Sequence, residues 1–211
     1  MEILSHRGHW LTREERNAPV ALERSFAGGF GTETDLRDLA GALVVSHDPP
    51  EAGALAAAAL FELHARLGPG LPLALNVKAD GLQAMTLALL ERFAVADAFV
   101  FDMSIPDTIQ WLKTPVPVFV RQSDVEPEPP LIDRAAGVWL DAFASDWWRA
   151  ETILRHLDAG RRVCIVSPDL HGRPCLPVWE YLDAAGLDAA DALMLCTDHP
   201  TEARKLFGRD V

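Results

Sequence analysis

The chain has 211 residues, 49% of them apolar and 24% charged, with a formal net charge of −12 at neutral pH. That length suits one substantial domain, and the composition is that of a globular protein. The acidic balance argues against nucleic acid and against anionic lipid as partners, so an anionic ligand needs a local cationic pocket or a bound metal ion.

Three cysteines, Cys164, Cys175 and Cys196, have no metal-ligand spacing and are odd in number, which fits free thiols of a reducing compartment. The opening MEILSHRG carries no basic segment followed by a long apolar core. No apolar run approaches the ~20 residues of a membrane span. A cytoplasmic protein without stable membrane insertion is expected; the sequence leaves its oligomeric state open.

In chain order, short apolar runs alternate with helix-length amphipathic stretches. The expected strands are EILSH, TETDLR continuing towards ALVVSHD, LPLALNVK, AFVFDM, VPVFVRQ, GVWLDAF, RVCIVSP and ALMLCTD. Most are apolar on both faces, as parallel strands covered by helices must be. Between them lie ALERSFAGG, AGALAAAALFELHARLG, DGLQAMTLALLERFA, IPDTIQWLK, WWRAETILRHLDAG, LPVWEYLDAAG and TEARKLFG, several closing on the glycine that stops a helix. With TETDLR and ALVVSHD taken as one bent or hairpin-bearing region, eight β units result. The expectation is an α/β chain folded as a compact, single-domain (β/α)₈ TIM barrel over residues 1–211. An open doubly wound sheet is the alternative, weakened because no GxGxxG follows the first strand.

Barrel chemistry sits at the C-terminal ends of strands, and the unusual polar residues fall there. The first strand ends in His6-Arg7. Glu33 and Asp35 are two apart on the second and so share a face. The LVVSHD run ends in His47-Asp48, and the next strand ends with Asn76 and Lys78 on one face. Later strands end at Arg121, Asp141, Ser167 and Asp198. Each has an ordinary reading: a hydrogen-bonded strand-end histidine, a solvated Glu-x-Asp edge, a lysine approaching a helix. Together they call for more. Two carboxylates on one face of a buried strand repel each other and are costly to desolvate unless a cation neutralises them. A hard divalent ion with oxygen ligands meets that need. Two histidines from different strands can serve as general base and general acid, and Arg7 and Lys78 can hold an anion beside the metal. Metal, imidazoles and cations together suggest phosphoryl chemistry.

At this point the motifs resemble the glycerophosphodiester phosphodiesterases. SHRG, Asn17, TETDLRD and VVSHDPP follow that family's order of HRG, an Asn-bearing loop, Glu-x-Asp and His-Asp. LALNVK falls where the family has an Ile-Glu-x-Lys type strand, and LCTDHP is similar to its closing Thr-Asp-x-Pro. The resemblance implies a metal-dependent (β/α)₈ barrel that hydrolyses a small glycerophosphodiester-like substrate. It makes His6 and His47 the acid/base pair, Arg7 and Lys78 the phosphate contacts, and Glu33, Asp35 and Asn76 the ligands of one divalent cation, Mg²⁺ or Ca²⁺. It further implies a cyclic phosphate intermediate and a bell-shaped pH–rate profile.

Two departures stand out. The family's third metal carboxylate is Asn76 here, an amide that coordinates without charge, so weaker metal binding is expected. Only about thirty residues separate His47 from Lys78, where the family usually carries an inserted subdomain, so a more open pocket is expected. Three rivals remain: a phosphodiesterase or phospholipase for another head group, a degenerate barrel that binds a phosphorylated ligand, and an unrelated metal-assisted lyase or aldolase. His9, His64, His156, His171 and His199 have no partner at a telling spacing. Arg173, on the 169–177 stretch, is a weaker phosphate candidate, and that stretch is long enough to cover a site. Trp139 and Asp141 share a strand face, read as a pocket wall and a structural carboxylate. Gly8 is expected to let the backbone turn beside the phosphate, with His9 and Trp10 walling the entrance.

Overall fold

A computed structural model describes residues 1–208. Ten strands and seven helices follow in order: β1 (Glu2–His6), α1 (Pro19–Ala27), β2 (Gly31–Leu39), β3 (Ala42–Val45), β4 (Leu55–Ala56), α2 (Ala57–Leu67), β5 (Leu73–Val77), α3 (Gln83–Arg92), β6 (Ala98–Phe101), α4 (Ile105–Trp111), β7 (Phe119–Gln122), β8 (Gly137–Leu140), α5 (Ala150–Asp158), β9 (Arg162–Val166), α6 (Leu176–Ala184), β10 (Leu193–Thr197) and α7 (Pro200–Phe207). Every expected strand and helix is present. The one shift of note is that Trp147 and Trp148 precede α5 instead of opening it. None of the helices of the described residues is long and apolar enough to cross a membrane.

The chain forms two compact units. The first runs from His6 to Val118. In it β2 and β5 pair in parallel, as do β5 and β6, while β3 turns back antiparallel on β2 and β4 on β3. TETDLR and ALVV are thus two arms of a hairpin. Ala40 and Gly41 both take positive φ, 50° and 82°, the geometry that lets a two-residue turn follow the right-handed twist of its strands. Alternation divides each strand between two faces. Leu36, Leu73, Leu75, Val77 and Val100 pack in one apolar cluster with Leu22 and Phe26 of α1 and Leu60 and Phe61 of α2. Glu33, Asp35 and Asn76, at the alternate positions, fall outside that cluster.

The second unit comprises Met1–Ser5 and the chain from Phe119 onward. Its strands run parallel in the order β1-β10-β9-β8-β7. Val138, Leu140, Val163, Ile165, Leu193 and Leu195 pack with Ile153, Val178 and Leu182 from the covering helices. On β8 the glycine at 137 is a packing requirement, since a Cβ there would lie 2.3 Å from Cζ of Phe119.

Candidate active site

In the first unit His6, Arg7, Asn17, Glu33, Asp35, Asn76, Lys78 and Asp102 form one connected cluster, and His47 stands apart from it, bonded to Asp48. β2 and β5 place Asp35 directly beside Asn76 in the parallel register. Asp35 is fully buried. Its Oδ2 accepts from Asn17 Nδ2 at 2.9 Å and pairs with Arg7 Nε at 3.1 Å, while Lys78 Nζ lies 3.8 Å from Oδ1. Lys78 also donates to Asp102 at the end of β6, at 3.3 Å. Asn17 is fixed in turn, because Thr34 Oγ1 donates to its Oδ1 at 2.9 Å and its amide donates to the Arg7 carbonyl at 2.9 Å.

Glu33 has poorer company. Its donors, Asn76 Nδ2 and the Arg7 amide, both stand at 3.3 Å, and His6 Nε2 is 3.9 Å away. At those lengths hydrogen bonding compensates little for lost hydration. Burial first, and the neighbouring Asp35 charge second, push the Glu33 carboxyl up to about 7.

Three of these residues hold left-handed backbone without being glycine: Arg7 at φ 58°, Asn17 at 59° and Asp102 at 73°. Asn and Asp tolerate that region, and an arginine pays more. The turn that forces it is docked tightly. Gly8, at φ 84°, is followed by a His9 amide that donates to the Ala21 carbonyl of α1 at 2.9 Å. A Cβ on Gly8 would sit 2.8 Å from the Ala21 carbonyl carbon and 2.9 Å from the Leu22 nitrogen. The glycine is therefore needed for contact between the turn and α1, a reason the sequence reading did not include. Trp10 returns its indole N–H to the His6 carbonyl at 3.1 Å, and His9 sets its ring edge-on against Phe30.

His47 sits at the end of β3, 42% exposed, with its Nδ1 hydrogen-bonded to Asp48 Oδ1 at 2.9 Å. Arg37 Nε donates to its carbonyl at 3.0 Å. It faces a cavity of about 400 Å³ that Arg7, Asn17 and Arg16 also line.

The arrangement suits a hard cation. Asp35 Oδ1 and Asn76 Oδ1 are buried and accept no hydrogen bond. Unsatisfied buried oxygens are costly, and a divalent ion with oxygen ligands offsets that cost. Among the described residues no trio of His, Cys, Asp and Glu is placed to hold a metal ion.

The second unit holds a different cluster. Asp141, buried just after β8, accepts from His171 Nε2 at 2.7 Å and from the Ala142 amide at 2.8 Å, with Arg121 Nε at 3.9 Å. Asp169 takes hydrogen bonds from Ser167 Oγ, Thr197 Oγ1 and the Asp198 amide. Arg173 donates to the Ala142 carbonyl at 2.8 Å and pairs with Asp146. The 169–177 stretch is tied down at several points. His64 and His156 are buried structural histidines, bonded to the Leu71 carbonyl and the Gln122 side chain, and burial lowers both imidazoles.

Asp102, Arg16 and the Asp141–His171 pair were not singled out from the sequence. Asp102 obeys the same strand-end rule as the others. Nothing in the sequence marked Arg16 or joined residues 141 and 171.

No protein-family model matches the chain, and no curated protein sequence matches it. Solved structures do. A glycerophosphodiester phosphodiesterase from Agrobacterium tumefaciens superposes with a TM-score of 0.72 at 17% identity, over 99% of this chain and 100% of the other. An Oleispira antarctica phosphodiesterase, solved with the product sn-glycerol-3-phosphate, gives 0.71 at 13%, over 99% and 97%. The chain has the fold of the glycerophosphodiester phosphodiesterases. That fold is a (β/α)₈ TIM barrel, as the eight β units led us to expect. A Ca²⁺-dependent phosphatidylinositol-specific phospholipase C from Streptomyces antibioticus also matches, at 0.54 and 10%, over 98% and 95%.

Proposed function

We propose that the protein is a divalent-cation-dependent phosphodiesterase acting on small glycerophosphodiester-like substrates. The observation that carries this reading is the Glu33–Asp35–Asn76 oxygen cluster with Arg7 and Lys78 paired to Asp35, in a chain with the phosphodiesterase fold. The product bound by the Oleispira antarctica protein supports a small substrate of this class.

In this reading Glu33, Asp35 and Asn76 would hold a divalent cation, Mg²⁺ or Ca²⁺, which when bound would supply Lewis-acid stabilisation of charge on the phosphoryl oxygens. Arg7 and Lys78 orient the phosphate. Both are pre-positioned by Asp35, so little side-chain entropy is lost on binding. Their charge also answers how a chain of net charge −12 binds an anion. His6 and His47 carry the protons. One imidazole removes the proton of the substrate hydroxyl adjacent to the diester. That oxygen bonds to phosphorus, the bond to the leaving alcohol breaks, and the other imidazole protonates the leaving oxygen. Water then opens the cyclic phosphate with the two roles exchanged. The bond from Asp48 engages Nδ1 of His47 and leaves Nε2 as the nitrogen that exchanges a proton with substrate.

The test is turnover of glycerophosphodiesters followed by phosphorus NMR, with Mg²⁺ or Ca²⁺ and with EDTA. A cyclic phosphate signal that grows and decays, lost with EDTA, is expected. Absence of turnover with either ion would overturn the assignment.

A further inference from the structure

We propose that Asp102 is a positioning residue for Lys78, holding its ammonium group at the phosphate of the substrate. The proposal rests on the phosphodiesterase reading, in which Lys78 contacts the phosphate, and it gives a role to a residue outside the motifs that carry that reading.

Lys78 follows β5, and its amide donates to the Leu36 carbonyl of β2 at 3.0 Å. That fixes its backbone and leaves a flexible four-carbon stem to be placed. Its Nζ lies 3.3 Å from Asp102 Oδ2 and 3.8 Å from Asp35 Oδ1. Asp35 is the more divided of the two carboxylates. It also pairs with Arg7 at 3.1 Å and accepts from Asn17 at 2.9 Å, and in the proposed reading it is a cation ligand. A divalent cation on Asp35 would repel an ammonium beside it, so Asp35 alone is a poor anchor for Lys78. Asp102 supplies a second anchor from another strand. It follows β6, whose Phe101 pairs with Asn76 of β5. The segments that leave β5 and β6 are bridged to each other. Ser104 Oγ donates to the Asp80 carboxylate at 3.0 Å, and the buried Asp107 accepts from the Gly81 amide at 3.0 Å and from Gln83 Nε2 at 2.7 Å. These bridges hold the two segments, and with them residues 78 and 102, at a set separation. Asp102 also keeps φ at 73°, where glycine costs less, so the chain carries a carboxylate there against the preference of the backbone. The side chains of Lys78 and Asp102 are only 18% and 19% exposed, which weakens solvent screening of the pair.

Two substitutions separate the carboxylate from the turn that carries it. Asp102→Asn keeps the shape and tolerates the left-handed backbone, and Asp102→Gly relieves that backbone altogether. With Mg²⁺ or Ca²⁺ present, binding of sn-glycerol 3-phosphate is measured by calorimetry and turnover of glycerophosphoethanolamine by phosphorus NMR. The set comprises the wild type, both Asp102 variants, Lys78→Met and the Asp102→Asn/Lys78→Met double variant, with melting curves to establish that each is folded. Kd and KM are expected to rise about five- to tenfold in both Asp102 variants, as a displaced positioning contact implies. Asp102→Asn should add nothing once Lys78 is replaced, because residues that act through one contact are not additive. Unchanged Kd and KM in Asp102→Asn, wild-type binding in Asp102→Gly, or an additive loss in the double variant would each overturn the positioning role. Turnover that Asp102→Asn leaves untouched removes that role and keeps the phosphodiesterase reading. A non-additive loss of binding, without turnover by the wild type, keeps the role and removes that reading. Neither binding nor turnover removes both.

Discussion

Both units place carboxylates at or just beyond strand ends, with Glu33, Asp35 and Asp141 buried and Asp169 half-buried, and the two sets are treated in opposite ways. In the second unit Asp141 and Asp169 are saturated with short hydrogen bonds, from His171 and the Ala142 amide in one case and from Ser167, Thr197 and Asp198 in the other. In the first unit Glu33 has donors at 3.3 Å, and Asp35 Oδ1 and Asn76 Oδ1 accept nothing. The same cluster holds three non-glycine residues in left-handed backbone. Satisfied buried polar groups stabilise a fold. Unsatisfied ones, held in strained geometry, are kept where a ligand completes them. The contrast distinguishes carboxylates that the fold itself satisfies from those that, in the proposed reading, a cation would complete.

The sharpest break in this comparison comes from the histidines. His47→Ala is expected to lower phosphodiester turnover by about 10²–10⁴, the usual contribution of general acid–base catalysis, with an unchanged circular dichroism spectrum. His171→Asn, in the saturated cluster, should stay within severalfold of the wild type. Equal losses in the two variants would erase the distinction.

Glu33 gives the next effect. Its carboxyl, ordinarily near 4.5, titrates at about 7 in the folded chain, so the folded state binds the extra proton between those values. The stability this group contributes is complete below pH 4.5 and is lost as pH rises through 7, on the order of 3 kcal/mol. In EDTA, Glu33→Gln should therefore be less destabilised than the wild type between pH 5 and pH 8, a difference of several degrees in Tm. Parallel pH profiles for the two proteins would show that Glu33 is ionised and compensated.

Asn76→Asp tests whether the orphaned oxygens form a cation site. Restoring a charge should tighten Mg²⁺ or Ca²⁺ binding about tenfold by titration calorimetry, as ligand charge does in oxygen-donor sites. An unchanged affinity would remove Asn76 from the donor set. The smallest effect belongs to Asp141→Asn, which weakens a satisfied network at a cost of about 1–2 kcal/mol, seen as a lower Tm with turnover kept within severalfold.

Much of this site was legible in the residues. His6, Arg7, Glu33, Asp35, Asn76 and Lys78 are end-of-strand residues or alternate-position pairs, and a period of two fixes the face a side chain takes. Asp35, Asn76 and Lys78 meet because adjacent parallel strands bring those positions together. Asp102, at the end of AFVFD, obeys the same rule, but one acidic residue after an apolar run carries no signal of its own. The placement of Arg16 was out of reach, since it depends on a ring six residues earlier and on a cavity wall supplied by residues 45–55. The Asp141–His171 contact spans thirty residues, and no local rule specifies it.

By itself the sequence determined the alternation of strands and helices, the faces they bury and the polar set at their ends, because periodicity and burial act over a few residues. The resemblance of its motifs pointed to a phosphodiesterase barrel, and the superposition with solved structures established that fold. Only the tertiary structure decided which carboxylates are saturated and which are left wanting, why Gly8 must be glycine, and where Arg16 stands. Those depend on distances of a few tenths of an ångström between segments far apart in the chain, and packing alone sets such distances.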